Sequence, residues 1–215
     1  MTSANDKVAQ SRNRRFVMPE YNESKVMREV HLYCMSAEVY ESAGRYLSIT
    51  YGMVNIPQGT AFLAESSGRI VHLALTEDNE KELEYFRSRW SLSRLRESPK
   101  RCQQLADDIF DSNATDGPRV LLLGNCLETR VWKELTHIPE GTVVTYKDIA
   151  ERIDKSDSEK VVANAIVENP VAYLIPCHRV VRAHGTLGTY RWGEASKRHL
   201  LEAEGCDLAQ LGLAI

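Results

Sequence analysis

Asn169-Pro170 is the sharpest punctuation in the chain. The residue before a proline avoids the α region, so a helix running into this pair must stop there. Upstream, Thr145 is placed to N-cap a short helix carrying Tyr146, Ile149, Ala150 and Ile153. A polar turn, Asp154 to Ser158, leads to a second helix over about 159–168. Two short helices with a tight polar connection have the layout of a helix-turn-helix, although most helix pairs are only structural. Past the proline, Val171 to Ile175 is apolar and reads as an extended segment. It delivers Pro176-Cys177-His178-Arg179-Val180-Val181 to the edge of the core.

The first half has a different texture. Leu47, Ile49, Tyr51 and Met53 alternate with smaller or polar residues. Gly59 to Ala64 follows a Pro57-Gln58 turn, and Ser66-Ser67-Gly68 turns into Ile70 to Leu75. Three short strands joined by turns make a small antiparallel sheet. Leu83, Phe86 and Trp90 then mark a helix, and Leu105 with Ile109 a shorter one over 100–110. Asn113 to Pro118 is a loop and Arg119 to Leu123 a strand, with a domain boundary between about 115 and 125. Leu127, Val131, Trp132 and Leu135 share a helical stripe that ends at Pro139-Glu140-Gly141. Gly185 and Gly188 mark a turn or wing. A last helix after Gly193 carries Leu200, Leu201 and Glu204, with Gly205 as its stop. The expected architecture is a loosely ordered tail over 1–40, ending in a possible short helix, then an α/β domain over 41–120 with a small antiparallel sheet and helices. A mainly α, winged-helix-like domain over 121–215 contains the helix-turn-helix. Arg12-Asn13-Arg14-Arg15 in the tail is a weak basic cluster, read as solvated.

Composition excludes several classes. With 215 residues, 43% hydrophobic and 27% charged, the chain can bury a core. No apolar run approaches the ~18 residues of a membrane span, and the polar N-terminus lacks an apolar signal core, so secretion is not expected. Five cysteines, at 34, 102, 126, 177 and 206, are widely spaced without a CxxC pair. That argues against a disulfide framework and for a reducing compartment. His31-x-x-Cys34 offers two metal ligands, which do not make a site; a structural zinc is not supported and no cofactor is expected. Between Lys160 and His199 six cations (Lys160, Arg179, Arg182, Arg191, Lys197, Arg198) stand against two anions, Glu168 and Glu194, with acidic flanks on either side. A local cationic face on a chain of net charge −3 is compatible with phosphate contacts, and equally with a mixed solvated surface.

Cys177 is the candidate nucleophile. An ordinary cysteine, with pKa about 8.5, is only a few per cent thiolate at pH 7. Lowering that pKa by about two units would make the thiolate dominant. His178 is the adjacent candidate base, Arg179 adds positive charge, and Glu202 or Glu204 could orient the imidazole. Alone, the pair reads first as a buried small hydrophobe beside a surface histidine.

The wider constellation is specific. Ile175-Pro176-Cys177-His178-Arg179-Val180 closely resembles the active-site motif of the O6-alkylguanine-DNA alkyltransferases (methylated-DNA–protein-cysteine methyltransferases). The resemblance extends through Gly185-Thr186-Leu187, Tyr190-Arg191-Trp192-Gly193 and Leu200 to Glu204. Upstream it takes in Ile138-Pro139, Gly141, Val144, Thr145-Tyr146 and Asn169, and it covers about 130–205. It implies single-turnover DNA repair: minor-groove binding through the helix-turn-helix, rotation of O6-alkylguanine (and O4-alkylthymine) out of the stack, and irreversible alkyl transfer to Cys177. By the same resemblance His178 is the base through a bridging water, Glu204 orients it, and Asn169 holds the turn. Tyr146 helps rotate the nucleotide, and Tyr190 forms the alkyl pocket and hydrogen-bonds guanine. Thr145, Lys160, Ala163, Asn164 and Arg191 join the DNA-contacting set. The implied partner is duplex DNA carrying O6-alkylguanine, with no membrane; the chain acts as a monomer, in the nucleus if eukaryotic and otherwise in the cytoplasm.

The chain departs from the family pattern in the helix-turn-helix. Lys160 stands where an arginine is usual, keeping the charge but losing the flat guanidinium. Glu159, Val161 and Asn164 are less suited to close groove contact, and Asp154 and Asp157 occupy a turn where glycine and proline are common. Leu127-Glu128 replaces a Phe-Gln pair, read as altered packing. Two other functions remain: a weakly active alkylated-DNA binding protein that recruits repair factors, and a cysteine hydrolase, which no oxyanion-hole glycine motif supports.

Overall fold

The computed structural model describes residues 29–212 except Glu77, Ser112, His184 and Gln210. The Arg12–Arg15 cluster lies outside them. In chain order the elements are β1 (His31–Met35), α1 (Ala37–Ala43), β2 (Ser48–Ile56), β3 (Gly59–Ser66), β4 (Arg69–Leu75), α2 (Asn79–Arg89), β5 (Arg94–Glu97), α3 (Pro99–Phe110) and β6 (Arg119–Leu123). The second half continues with α4 (Cys126–Leu135), β7 (Val144–Thr145), α5 (Tyr146–Arg152), α6 (Glu159–Val167), β8 (Val180–Val181) and α7 (Glu194–Ala203).

The hairpins β2–β3–β4 form as the turns predict, but they are the centre of a larger mixed sheet. Its order is β1-β6-β4-β3-β2-β5. The edge strand β1, expected as tail, runs parallel to β6, pairing His31 with Arg119 and Met35 with Leu123. At the other edge β5, which has no apolar alternation, runs parallel to β2. Period-two alternation sorts the β3 side chains to two covers. Ala61 and Leu63 face a core shared with α3 and the second half, while Phe62 and Ala64 face Phe86 and Trp90 around α2. A register shift opposite Ala64 and Glu65 leaves Val71 without a partner on β3. Val71 and the next residue, His72, thus both face α2, with His72 against Phe62 and Phe86.

The second half is helical, as read. Asn125 caps α4, accepting from the Leu127 and Glu128 amides at 2.9 Å, while Glu128 accepts from the Asn125 amide at 2.8 Å. Glu128 thereby closes a capping box, and Leu127 packs against the core. Thr145 and Asp148 form a second capping box on α5. The turn through Ser156–Ser158 then places α6 across α4, where the Trp132 indole donates to the Ala165 carbonyl at 2.8 Å. The halves meet where β6 diverges from β4. There Leu73 bridges Val171 in parallel, with Leu73 N–H to Pro170 O at 3.0 Å and Ala172 N–H to Leu73 O at 2.7 Å.

Trp132→Phe keeps most of the buried volume but leaves the Ala165 carbonyl without its indole donor. It should lower unfolding stability by about 1–2 kcal/mol with an unchanged denaturant slope, read by urea titration.

Candidate active site

The segment after α6 is not extended. Val171 to Ile175 folds into tight turns, with Leu174 N–H on Ala172 O at 2.7 Å, Ile175 N–H on Val171 O at 3.3 Å, and Tyr173 at φ +64°. A run of apolar residues fits a buried turn as well as a strand, provided something satisfies its backbone. Asn169 does so. Fully buried, it donates from Nδ2 to the carbonyls of Ile175 (2.9 Å) and Val171 (3.2 Å) and to Cys177 Sγ (3.1 Å). Its Oδ1 accepts from the Val171 amide at 3.0 Å. One amide therefore shapes the turn and touches the sulfur that the turn delivers.

Cys177, His178 and Arg179 form a single buried 3-10 turn. His178 Nε2 lies 2.9 Å from Glu204 Oε1. Arg179 grips the same carboxylate with both arms, Nε to Oε2 at 2.9 Å and Nη2 to Oε1 at 2.7 Å, and donates Nη1 to the Ile138 carbonyl at 2.5 Å. Burial alone would raise the Glu204 carboxyl, but the hydrogen bonds and charges of His178 and Arg179 outweigh it and hold it at about 2. A carboxylate can only accept, so Nε2 carries the proton of the neutral ring and Nδ1 is left as its basic nitrogen. Nδ1 is buried without a hydrogen-bond partner among the described residues. Burial pushes the His178 pKa down more than Glu204 lifts it, so the ring is neutral and able to accept a proton.

Cys177 is 5% exposed. Burial pushes its thiol up to about 11, against the Asn169 hydrogen bond and the charges of Lys197 and Arg191, which act in the other direction. The expected low thiol pKa is thus not a property of this closed state. The sulfur rests as a thiol beside a neutral imidazole.

Two residues near it went unread in the sequence. Arg179, a local positive charge by sequence, is the second partner of Glu204. Lys197 is fully buried and donates from Nζ to the carbonyls of Val180 and Leu187, both at 2.6 Å, tying the strand after the cysteine to the following loop. Burial brings its ammonium down to about 8 although Cys177 and Glu194 pull upward. Its signal was periodicity: Lys197 falls on the stripe of Leu200, Leu201 and Glu204.

The remaining candidates divide. Tyr146 begins α5, is buried, and donates its hydroxyl to the Thr189 carbonyl at 3.4 Å. Gly188, at φ +75°, lies against that hydroxyl, where a Cβ would come within 3.0 Å. Tyr190 faces His178 edge-on at 6.5 Å, and its buried hydroxyl has no partner among the described residues. The Thr145 hydroxyl is committed to Asp148. On α6 Lys160 and Asn164 are exposed and Ala163 half-buried. Arg191, grouped in sequence with the DNA-contacting residues, turns instead toward the first half, with Nη2 3.4 Å from Glu82 Oε1 and its guanidinium 3.4 Å above the Tyr85 ring. A buried carboxylate and an aromatic face hold a guanidinium better than open solvent does. A cavity of about 880 Å³ lies behind it, lined by Tyr85, Arg191, Trp192 and His199 among others but not by Cys177. His31 and Cys34 are exposed on β1, where a spacing of three puts them on opposite faces. Among the described residues no three His, Cys, Asp or Glu side chains cluster to hold a metal, and no helix is long and apolar enough to cross a membrane.

Residues 127–206 match the family model described as 6-O-methylguanine DNA methyltransferase, DNA binding domain. The bifunctional transcriptional activator/DNA repair enzyme Ada of Escherichia coli is 32% identical over 79% of this chain and 49% of its own length. A methylated-DNA–protein-cysteine methyltransferase of Metallosphaera sedula is 45% identical over 46% of this chain and 63% of its own. The chain spans about half the length of the curated relatives it matches. The crystal structure of Mycobacterium tuberculosis O6-methylguanine methyltransferase superposes with a TM-score of 0.59 at 29% identity, covering 76% of this chain and 99% of that one. The structure of the M. tuberculosis protein OGT in complex with DNA gives 0.55 at 26% identity, covering 76% of this chain and 98% of that one.

The Glu204 charge sets a testable acid limit. Its folded pKa of about 2 lies below the ordinary glutamate value near ~4.3. Its stabilising share is therefore complete above that ordinary value and is lost as pH falls through the folded one. Glu204→Gln should lower unfolding stability at pH 7 by roughly 3–5 kcal/mol, because it leaves Arg179 buried with a neutral partner. It should also flatten the fall in denaturation midpoint between neutral pH and pH 2. An acid limb as steep as that of the parent chain would overturn this assignment.

Proposed function

Because the chain belongs to the O6-alkylguanine-DNA alkyltransferase family, we propose that it repairs O6-alkylguanine in duplex DNA by moving the alkyl group to Cys177, once per molecule. The observation that carries this reading is the turn directly after the helix-turn-helix. There Asn169 holds the Cys177 sulfur at 3.1 Å, beside a neutral imidazole oriented by Glu204.

The helix pair α5–α6 meets the minor groove through backbone contacts, which give affinity without sequence readout and suit a search for lesions. Extruding the damaged base costs a few kcal/mol, less for an already weakened pair. The base enters past the turn between Arg182 and Gly188, while the Tyr190–Trp192 stretch stays in place as a wall. Gly185 and Gly188 in that turn have positive φ, a backbone state that glycine adopts without strain. The Cys177 thiol proton passes through water to His178 Nδ1. The thiolate attacks the carbon attached to O6, the C–O bond breaks, and its electron pair stays with the purine. The ring takes up one proton at N1 as guanine, balancing the one lost by sulfur. The Tyr190 hydroxyl, unpartnered at rest, donates to the base as charge develops on it. The product is a thioether with no leaving group, so the protein does not turn over. The chain's own residues supply every group in this sequence, and no cofactor is invoked.

Incubation with O6-methylguanine duplex and peptide mass spectrometry should show one methyl group on the Cys177 peptide, at most one per chain, and none in Cys177→Ala. Retention of alkylated duplex without an adduct would instead support the damage-binding reading.

Lys160 is the second test. Arginine at this position adds a planar stacking surface worth roughly 1–2 kcal/mol when it fills the gap left by an extruded base. Lys160→Arg should speed transfer from duplex DNA by about tenfold while leaving reaction with free O6-benzylguanine nearly unchanged. Equal duplex rates would show that this position does not limit repair.

A further inference from the structure

The loop that follows the cysteine turn is held from the other half of the molecule. Arg191 reaches Glu82 at 3.4 Å and lies over Tyr85, both on α2. The Glu82 oxygen that receives Arg191 also receives His72 Nε2 at 2.7 Å. His72 is fully buried on β4, its ring set among Phe62, Tyr85 and Phe86 at 5.7–5.9 Å between centroids. Glu82 is therefore a fixed acceptor rather than a mobile surface carboxylate.

Arg191 sits between two aromatic residues of the site. The Tyr190 and Trp192 rings pack edge to face at 5.2 Å, and Tyr190 faces the His178 ring. This stretch does little to hold itself. Three consecutive residues each bury a polar atom without a protein hydrogen-bond partner among the described residues: Tyr190 Oη, Arg191 Nε and Trp192 Nε1. Beside the Gly193 N–H to Tyr190 O bond at 3.2 Å and the packing of the two rings, the contacts of Arg191 with α2 tie the stretch to the first half of the molecule.

We propose that Glu82, oriented by His72, is a positioning residue for the alkyl-acceptor site: by anchoring Arg191 it fixes the wall that Tyr190 presents to Cys177 and His178. The inference rests on the alkyl-transfer reading for what that wall does. It does not rest on it for whether the wall is anchored.

The test uses the full chain with Glu82→Ala, Glu82→Gln, Arg191→Ala and the Glu82→Ala/Arg191→Ala double variant. Two rates are measured beside the melting temperature. One is carboxymethylation of Cys177 by iodoacetate, followed by peptide mass with exposed Cys34 and Cys126 as internal standards. The other is single-turnover transfer from free O6-benzylguanine, split into its saturation constant and its limiting rate. Glu82→Ala should raise Cys177 carboxymethylation several-fold and lower the limiting transfer rate roughly tenfold, because a displaced pocket wall misaligns the base. Arg191→Ala should match it, the double variant should be no worse than either, and Glu82→Gln, which keeps the acceptor oxygen, should recover most of both rates. Unchanged Cys177 access in folded Glu82→Ala, or effects of the two single variants that add, would overturn the proposal. If Glu82→Ala does not fold, Arg191→Ala and Glu82→Gln decide it on the same readouts. If the parent chain forms no alkyl adduct, the alkyl-transfer reading falls, and the carboxymethylation rates still decide the role of Glu82.

Discussion

A carboxylate removed from water has to be compensated, and the way Glu204 is compensated organises the second half of the chain. Desolvating an ion costs several kcal/mol even after relaxation, and the cost is recovered only with close, directional partners. Arg179 supplies a two-armed fork and His178 a third donor, so every strong contact of the carboxylate leads back to one 3-10 turn. The turn cannot rotate without exposing a buried charge. Its third member, Cys177, is thereby fixed relative to α7, and the His178 tautomer is fixed in the same step. Lys197 repeats the logic with opposite sign. Its buried ammonium is satisfied by two carbonyls, one on β8 and one on the loop, so the charge holds two backbone segments together.

The same burial sets the resting chemistry. It raises the Cys177 thiol and lowers the His178 imidazole, so both rest neutral. A permanently ionised thiolate would be open to any soft electrophile. A buried thiol beside a neutral base is held in reserve. Burial outweighs the Asn169 hydrogen bond and the charges of Lys197 and Arg191, which favour the ionised sulfur. Ionisation of the sulfur therefore has to be drawn by a partner that takes up the developing negative charge.

Features legible in the sequence were those whose cause is local. The Thr145 cap, the stop at Asn169-Pro170, the hairpins around Gly59 and Gly68, and the close of the last helix at Gly205 each depend on a few adjacent residues. The edge strands were not legible. β1 has no reason to be a strand until β6 runs beside it, and β5 carries charges where alternation would have marked it. Val171 to Ile175 misled for a related reason: an apolar run shows that a segment is buried, not that it is extended, and the shape comes from the Asn169 side chain. Within the site, the motif around Cys177 identified the sulfur and its neighbour. Arg179 and Lys197 looked like surface cations because a one-dimensional charge count cannot distinguish a solvated ion from a buried one. Glu82 was invisible, since its partner lies 109 positions along the chain.

That separation shows what the first half contributes. Among the described residues its sheet supplies none of the candidate reacting groups, yet it holds the stretch that contains the cysteine at both ends. Upstream, Leu73 on β4 pairs with Val171, where the chain leaves Asn169. Downstream, Glu82 and Tyr85 on α2 take Arg191, where the chain leaves Tyr190. Everything between the two tethers, including the cysteine turn, Lys197's carbonyl partners and the glycine-rich loop, is referenced to one rigid sheet. The exposed residues of α6, Lys160 and Asn164 among them, belong to neither tether. The exposed face of α6 is in this way separated from the buried turn whose atoms the two tethers hold in place.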